Sequence, residues 1–360
     1  GTDGNHDGIK LSGVTEFLID RVQVANWGRG GSAIDPVGSH HGLIQNSWFH
    51  HLTLGDNGSV LRPKGGSKAI TLRANRIEVP IGEGRAIQAG GSTGSPYFRF
   101  DDVDCCYEAD QIVAEGNVIL GGSSAFSFVN IDGGVFHHNY AQRPGDWTVR
   151  ILNENRGSAI VDTRNGKIHD NVIVFNDTAS EYRRAVNVGD ETMPTSFTFA
   201  RNHWYNLADP TPAGSTPSLP VDEQDGVYGV EPNVDPNGPI VWTFGWGAWV
   251  VNANDQPTTL DLKGLPGLIA HPGEESQFDP LAELPVTGDW TFTVPGHPSL
   301  GLAAFAQAIL IDSAACPACR PLPGDYDGSG MVDQADRLVW QEQFGQSGSL
   351  AADGNLDARV

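Results

Sequence analysis

The chain has 360 residues with 45 Gly, 23 Pro and 18% charged side chains, a turn-rich composition that reads as all-β and is long enough for two or three domains and a large core. Its 22 basic and 44 acidic residues give a net charge of −22, which excludes sequence-independent nucleic-acid binding but leaves open a local cationic groove for an anionic polysaccharide. No run of apolar residues is long enough for a membrane-spanning helix, and the four cysteines, paired as Cys105-Cys106 and Cys316-x-x-Cys319, are too few for a disulfide-dense scaffold.

Gly1 starts inside a repeating pattern with no initiator Met, so a cut or processed N-terminus is expected. Asp3, Asn5 and Asp7 read as a turn, GIKLSG as a strand, and FLIDRVQV as the first copy of a recurring phrase. The phrase returns as GLIQNSWF (42–49), AITLRANRI (69–77), QIVAEGNVI (111–119), GVFHHNY (134–140), KIHDNVIV (167–174) and FTFARNHWY (197–205). Each copy alternates apolar and polar residues, the period of a strand with one buried face. Each also reaches an Asn, at 46, 75, 117, 139, 171 and 202, predicting a repeated bend stacked copy upon copy. Copies that cannot bury their faces alone must stack, and strands without helical stretches between them predict a β-solenoid over 1–209.

These phrases resemble the right-handed parallel β-helix proteins, the pectate-lyase-like superfamily of polysaccharide-cleaving enzymes, and the resemblance implies a secreted protein acting on a polysaccharide. Between the copies, AIDPVGS (33–39), VLRPKGGS (60–67) and AIQAGGS (86–92) enter the same kind of turn and should stack into one outward face carrying Asp35, Arg62, Lys64, Arg85 and Gln88. An insertion, STGSPYFRFDDVDCCYE (92–108), lengthens one turn on that side, the usual place for a binding site on a repeat fold. The strands SAFSFVN (124–130), WTVRILNEN (147–155) and AVNVGD (185–190) continue the face with Asn130, Arg150, Asn153, Glu154 and Asn187.

After Asp209 a Pro/Gly/Thr-rich run reads as a loop, and 210–312 as a β-rich cap in which Trp242, Trp246 and Trp249 pack or offer a sugar-stacking platform. A linker (313–324) precedes DYDGSGMVDQAD, which fits a twelve-residue calcium loop with Asp325, Asp327, Ser329, the Met331 carbonyl, Asp333 and Asp336 as ligands and a helix over 337–345. DGNLDARV (353–360) starts a second loop, so more chain is expected beyond it. Residues 325–360 resemble a truncated dockerin-like module, which implies bound structural Ca²⁺ and a cohesin-like partner.

Cleavage of a uronate polymer by β-elimination needs a base, an acid and a positive group on the carboxylate. Lys64 and Arg85, about one coil apart, look like the Lys-then-Arg arrangement of the chondroitinase B and alginate lyase family, which implies Lys64 as base and Arg85 beside it. The run before Lys64 is GSVLRP, without that family's calcium carboxylates, so neutralisation falls to Arg62, Arg99 or Arg150. Tyr97 and Asp35 complete the expected substrate-binding set. A glycoside hydrolase would instead use two carboxylates, for which Asp35, Asp101, Asp102, Asp104 and Glu108 are the candidates. A non-catalytic carbohydrate-binding solenoid is the third reading. The His pairs 40-41, 50-51 and 137-138 fall where strands turn, as bases, ligands or hydrogen-bonded turn residues.

Overall fold

The structure is a computed structural model that describes residues 6–51, 58–101, 105–156, 159–177 and 185–232, together with the backbone of six strands between 239 and 311. The expected linker, the expected calcium ligands Asp325, Asp327, Ser329, Met331, Asp333 and Asp336, the helix expected over 337–345, and Cys316 and Cys319 lie outside the described residues.

Every pairing among the strands from Ile9 to Tyr228 is parallel. The chain visits three strand stacks in turn. The first runs through 9–12, 34–37, 59–61, 85–90, 124–129, 147–152 and 186–188. The second stack runs through 15–20, 40–45, 67–73, 109–115, 131–137, 167–169 and 198–200. The third runs through 23–25, 48–50, 76–79, 118–121, 140–142, 172–175, 203–206 and 227–228. Helix among the described residues is confined to 95–97, 194–196 and 212–215. The fold is therefore all-β with long parallel sheets. Pairing continues past Asp209, because Val227 and Tyr228 join His203 and Trp204, so the parallel region exceeds the expected 1–209.

The alternation in the sequence places one apolar column per stack in the core. Ile34, Leu61, Ile87, Phe126 and Val149 are in register and fully buried in the first. Ile44, Leu72, Ala114, Phe136, Ile168 and Phe199 do the same in the second, and Phe49, Ile77, Ile119, Ala141, Ile173 and Trp204 in the third. Each large side chain contributes roughly 1.5–3 kcal/mol by leaving water.

The corner between the second and third stacks is held by the recurrent Asn. Asn75, Asn117, Asn139, Asn171 and Asn202 are buried and linked side chain to side chain, Nδ2 to the next Oδ1, at 3.1, 2.9, 3.0 and 2.8 Å. Each of Asn117, Asn139, Asn171 and Asn202 also accepts from the backbone N–H of the preceding Asn, at 2.9 to 3.1 Å. Glu223 closes the column by accepting from the Asn202 side chain at 2.7 Å and its N–H at 3.0 Å. Two expectations are corrected here. The left-handed bend belongs to the residue before each Asn: Ala74, Gly116, His138, Asp170 and Arg201 all have φ of 51–63°. Asn46 is one of these bend residues, with φ 50°, and the inward position in its coil is Ser47, whose N–H donates to Asn75 Oδ1 at 3.2 Å.

The strands between Pro239 and Ile311 form two smaller sheets, with Leu268–Ala270 antiparallel to Phe305–Ile311. The side chains of the expected cap, Trp242, Trp246 and Trp249 included, lie outside the described residues.

Candidate functional site

Strand register in the first stack builds a polar column opposite the apolar one. Lys10 aligns with Asp35, Gln88 with Ser127, Ser127 with Arg150, and Arg150 with Asn187. Ile34, Leu61 and Ile87 are in register, which puts Arg62 between Asp35 and Gln88.

Midway along this column is a groove of about 320 Å³ lined by Arg62, Arg85, Gln88, Arg150, Glu154 and Ser59 with three glycine and serine neighbours. Arg85 Nη2 lies 2.6 Å from Glu154 Oε1. Arg150 lies 4.4 Å over the Trp147 ring and donates from Nε to Asn187 Oδ1 at 3.4 Å, so stacking and one hydrogen bond fix its guanidinium. Burial, and next the Arg85 charge, lower the Arg150 pKa, yet the guanidinium keeps its charge at neutral pH. The Nε of Arg62 is buried with no hydrogen-bond partner, a donor whose desolvation an incoming acceptor would offset. The lining thus holds three guanidinium groups against one carboxylate in a chain of net charge −22.

Lys64 does not line this groove. Its Nζ lies 3.1 Å from Asp35 Oδ1, while Lys10 engages Oδ2 of the same carboxylate. Burial, and next the Arg62 charge, hold the Lys64 ammonium below its usual pKa against the opposing pull of Asp35. A Cβ on Gly91 would meet both Arg62 Nη2 and Lys64 Cδ at 3.3 Å, so the two side chains share the space over that glycine and Arg62 links Lys64 to the groove.

The other expected residues fall elsewhere. Asp35, expected among the substrate contacts, is fully buried between two ammonium groups and outside the groove lining. Arg99 packs along the turns at Gly13 and Gly38, with its N–H donating to Gly65 O at 3.0 Å and its carbonyl accepting from His40 Nε2 at 3.2 Å. Tyr97 is 68% exposed in the Ser95–Tyr97 turn, away from the groove lining. The described parts of the insertion, 92–101 and 105–108, lie as a strap over the turns between the first and second stacks, and Glu108 fastens them. The buried Glu108 carboxylate accepts from Gly65 N at 2.9 Å, Thr93 N and Oγ1 at 2.5 and 2.7 Å, and Asn155 Nδ2 at 2.8 Å. Asp101 pairs with His41 at 2.6 Å. Neither carboxylate joins Glu154 in the groove; Asp102 and Asp104 lie outside the described residues. Cys105 and Cys106 form a disulfide within the strap.

A second cluster combines one expected His pair with a residue that sequence reasoning passed over. Donor nitrogens of His137, His138 and His169 lie within 4.8 Å of one another at the end of the second stack. The missed signal was alignment on the inward Asn, which sets Glu115-Gly116-Asn117, His137-His138-Asn139 and His169-Asp170-Asn171 side by side.

No family model matches the sequence, and no curated protein matches it either.

Proposed function

We propose that the chain is a secreted right-handed parallel β-helix that takes a uronate-containing polysaccharide along the outer face of its first stack and cleaves it by β-elimination. The observation that carries this reading is the convergence of Arg62, Arg85 and Arg150, from three different rungs, on one groove whose lining holds Glu154 as its lone carboxylate. Such an arrangement offers forked donors to planar carboxylates spaced along a chain. The right-handed course rests on the strong chirality of parallel crossover connections.

In the proposed step an arginine holds the uronate carboxylate while a base removes the adjacent proton. The electron pair forms the new C=C bond, the bond to the 4-linked oxygen breaks, and that oxygen takes up a proton returned by the protonated base or by water. Lys64 is assigned as the base because burial and Arg62 favour its neutral, proton-accepting form. A second reading, binding without cleavage, is favoured by one observation: Lys64 is held by Asp35 and stands outside the groove lining. Hydrolysis loses support from the engaged carboxylates of Glu108 and Asp101. The calcium loop at 325–336 is proposed to bind structural Ca²⁺ and, together with residues 337–360, to dock a cohesin-like partner.

Incubation with alginate, pectate, chondroitin and neutral glycans tests the assignment, following ultraviolet absorbance for an unsaturated product and reducing ends for any cleavage. Absorbance gain supports the lyase, reducing ends alone would replace it with a hydrolase, and binding without either would leave the carbohydrate-binding reading.

A further inference from the structure

Three imidazoles meet at the corner between the second and third stacks, on residues that the polysaccharide groove does not use. His137 and His169 are register partners with rings stacked 5.0 Å apart. His138 is the left-handed bend residue beside them, its Nδ1 at 2.7 Å from His137 Nδ1. We propose that His137, His138 and His169 form a binding site for a divalent transition metal of the zinc type.

The hydrogen bonds around the cluster select the donor atoms. Glu115 lies 3.1 Å from His137 Nε2 and Asp170 lies 2.7 Å from His169 Nδ1. A proton on each of those nitrogens leaves Nδ1 of His137 and Nε2 of His169 with lone pairs to give. Both carboxylates are themselves fixed, Glu115 by Arg73 at 2.6 Å and Asp170 by Arg201 at 2.7 and 2.6 Å. A carboxylate behind an imidazole is the arrangement that orients a metal-ligating His and raises its basicity. Two independently built carboxylate–imidazole pairs aimed at one spot distinguish this corner from a run of turn histidines.

Distances agree with that use. Nitrogens at about 2.0–2.1 Å from a tetrahedral ion stand roughly 3.3 Å apart, between the 2.7 Å contact and the 4.8 Å limit seen here. Only one proton fits between the two facing Nδ1 atoms; an entering cation takes its place, and the proton moves to His138 Nε2. Nitrogen donors favour Zn²⁺, Co²⁺, Ni²⁺ and Cu²⁺ over Ca²⁺ and Mg²⁺. All three residues are partly exposed, which leaves the fourth coordination position to water.

Titration of ZnCl₂ into the full chain in excess Ca²⁺, followed by calorimetry, tests the site with the carboxylate loops already occupied. The expected result is a zinc-binding event that disappears in His138→Asn/His169→Gln, where Asn suits the left-handed bend. Asp170→Asn should weaken it about 10- to 100-fold. Zinc-edge X-ray absorption of the wild-type chain provides a readout that needs no variant: three imidazole nitrogens at about 2.0–2.1 Å are expected. An unchanged isotherm in the double variant, no zinc uptake, or a shell of oxygens alone would overturn the proposal.

Discussion

Arg85 Nη2 lies 2.6 Å from Glu154 Oε1, and the pair forms one wall of the groove that Arg62 and Arg150 also line. A partly exposed ion pair of this kind adds only about 0–1 kcal/mol to stability. Its position matters more, because Glu154 occupies the guanidinium edge that a uronate carboxylate would take. Glu154→Gln is therefore expected to keep the fold and tighten binding of a uronate oligosaccharide several-fold. Arg85→Lys should weaken binding roughly tenfold, since a point charge cannot replace the planar fork. Calorimetry on the two variants checks both directions, and equal affinity for wild type and Arg85→Lys would remove Arg85 from the site.

With Lys64 as its base, the proposed elimination has a pH signature. The Lys64 pKa is lowered from the ordinary 10.5, by burial first and the Arg62 charge second. A base acts in its neutral form, so activity should rise with pH along a limb centred below 10.5. Arg62→Gln removes one of the lowering causes and should move that limb to higher pH. Lys64→Ala should reduce turnover by roughly two to four orders of magnitude with an unchanged circular-dichroism spectrum. A pH profile that ignores both substitutions would exclude Lys64 as the base.

The Asn column predicts a stability effect far from any ligand. Asn139 Oδ1 accepts from Asn117 N and Nδ2, both at 2.9 Å, and its own Nδ2 donates to Asn171 Oδ1 at 3.0 Å and Ala114 O at 2.9 Å. Asn139→Leu would leave the buried Asn117 N–H without its acceptor and take one hydrogen bond each from Asn117 Nδ2, Ala114 O and Asn171 Oδ1, at a cost of about 1–3 kcal/mol for each group left unpaired. Urea denaturation should show a lowered midpoint, by more than in Asn46→Leu, whose parent side chain donates to Asp20 at the rim. Equal midpoints would mean that the column adds nothing to stability.

Much of this fold was legible because one local rule repeats. Alternation named the buried columns, and a polar residue that must be buried at the same point of every coil showed itself as the recurrent Asn. Asn46 misled because Ser47 fills the inward place in that coil while an Asn, tolerant of positive φ, occupies the bend. Alignment on the glycines brought Arg62 and Arg85 to one face, and the strand over 147–155 that continues it added Arg150. It did not reveal that Asp35 would hold Lys64, because register fixes which strands are neighbours but leaves long side chains to choose partners by charge and burial. The histidine cluster was half visible: the 137-138 pair stands in the sequence, whereas His169 arrives from the next coil.

The loop at 325–336 makes a separate prediction. Asp325, Asp327, Asp333 and Asp336 crowd into twelve residues and repel one another unless a cation is present. Calorimetry should find Ca²⁺ binding that is lost in Asp325→Ala and Asp336→Ala. Binding that survives both substitutions would place the ion elsewhere.

Recognition of a carboxylate by the arginine groove is best tested by comparing one oligosaccharide in two forms. Calorimetry would measure the affinity of the chain for a uronate oligosaccharide and for the same sugar with its carboxylates reduced to alcohols. The arginine groove predicts a preference of at least roughly tenfold for the charged form, lost in Arg62→Gln/Arg150→Gln and diminished by salt. Equal affinity for the charged and reduced sugars, or a preference that survives in the double variant, would contradict it.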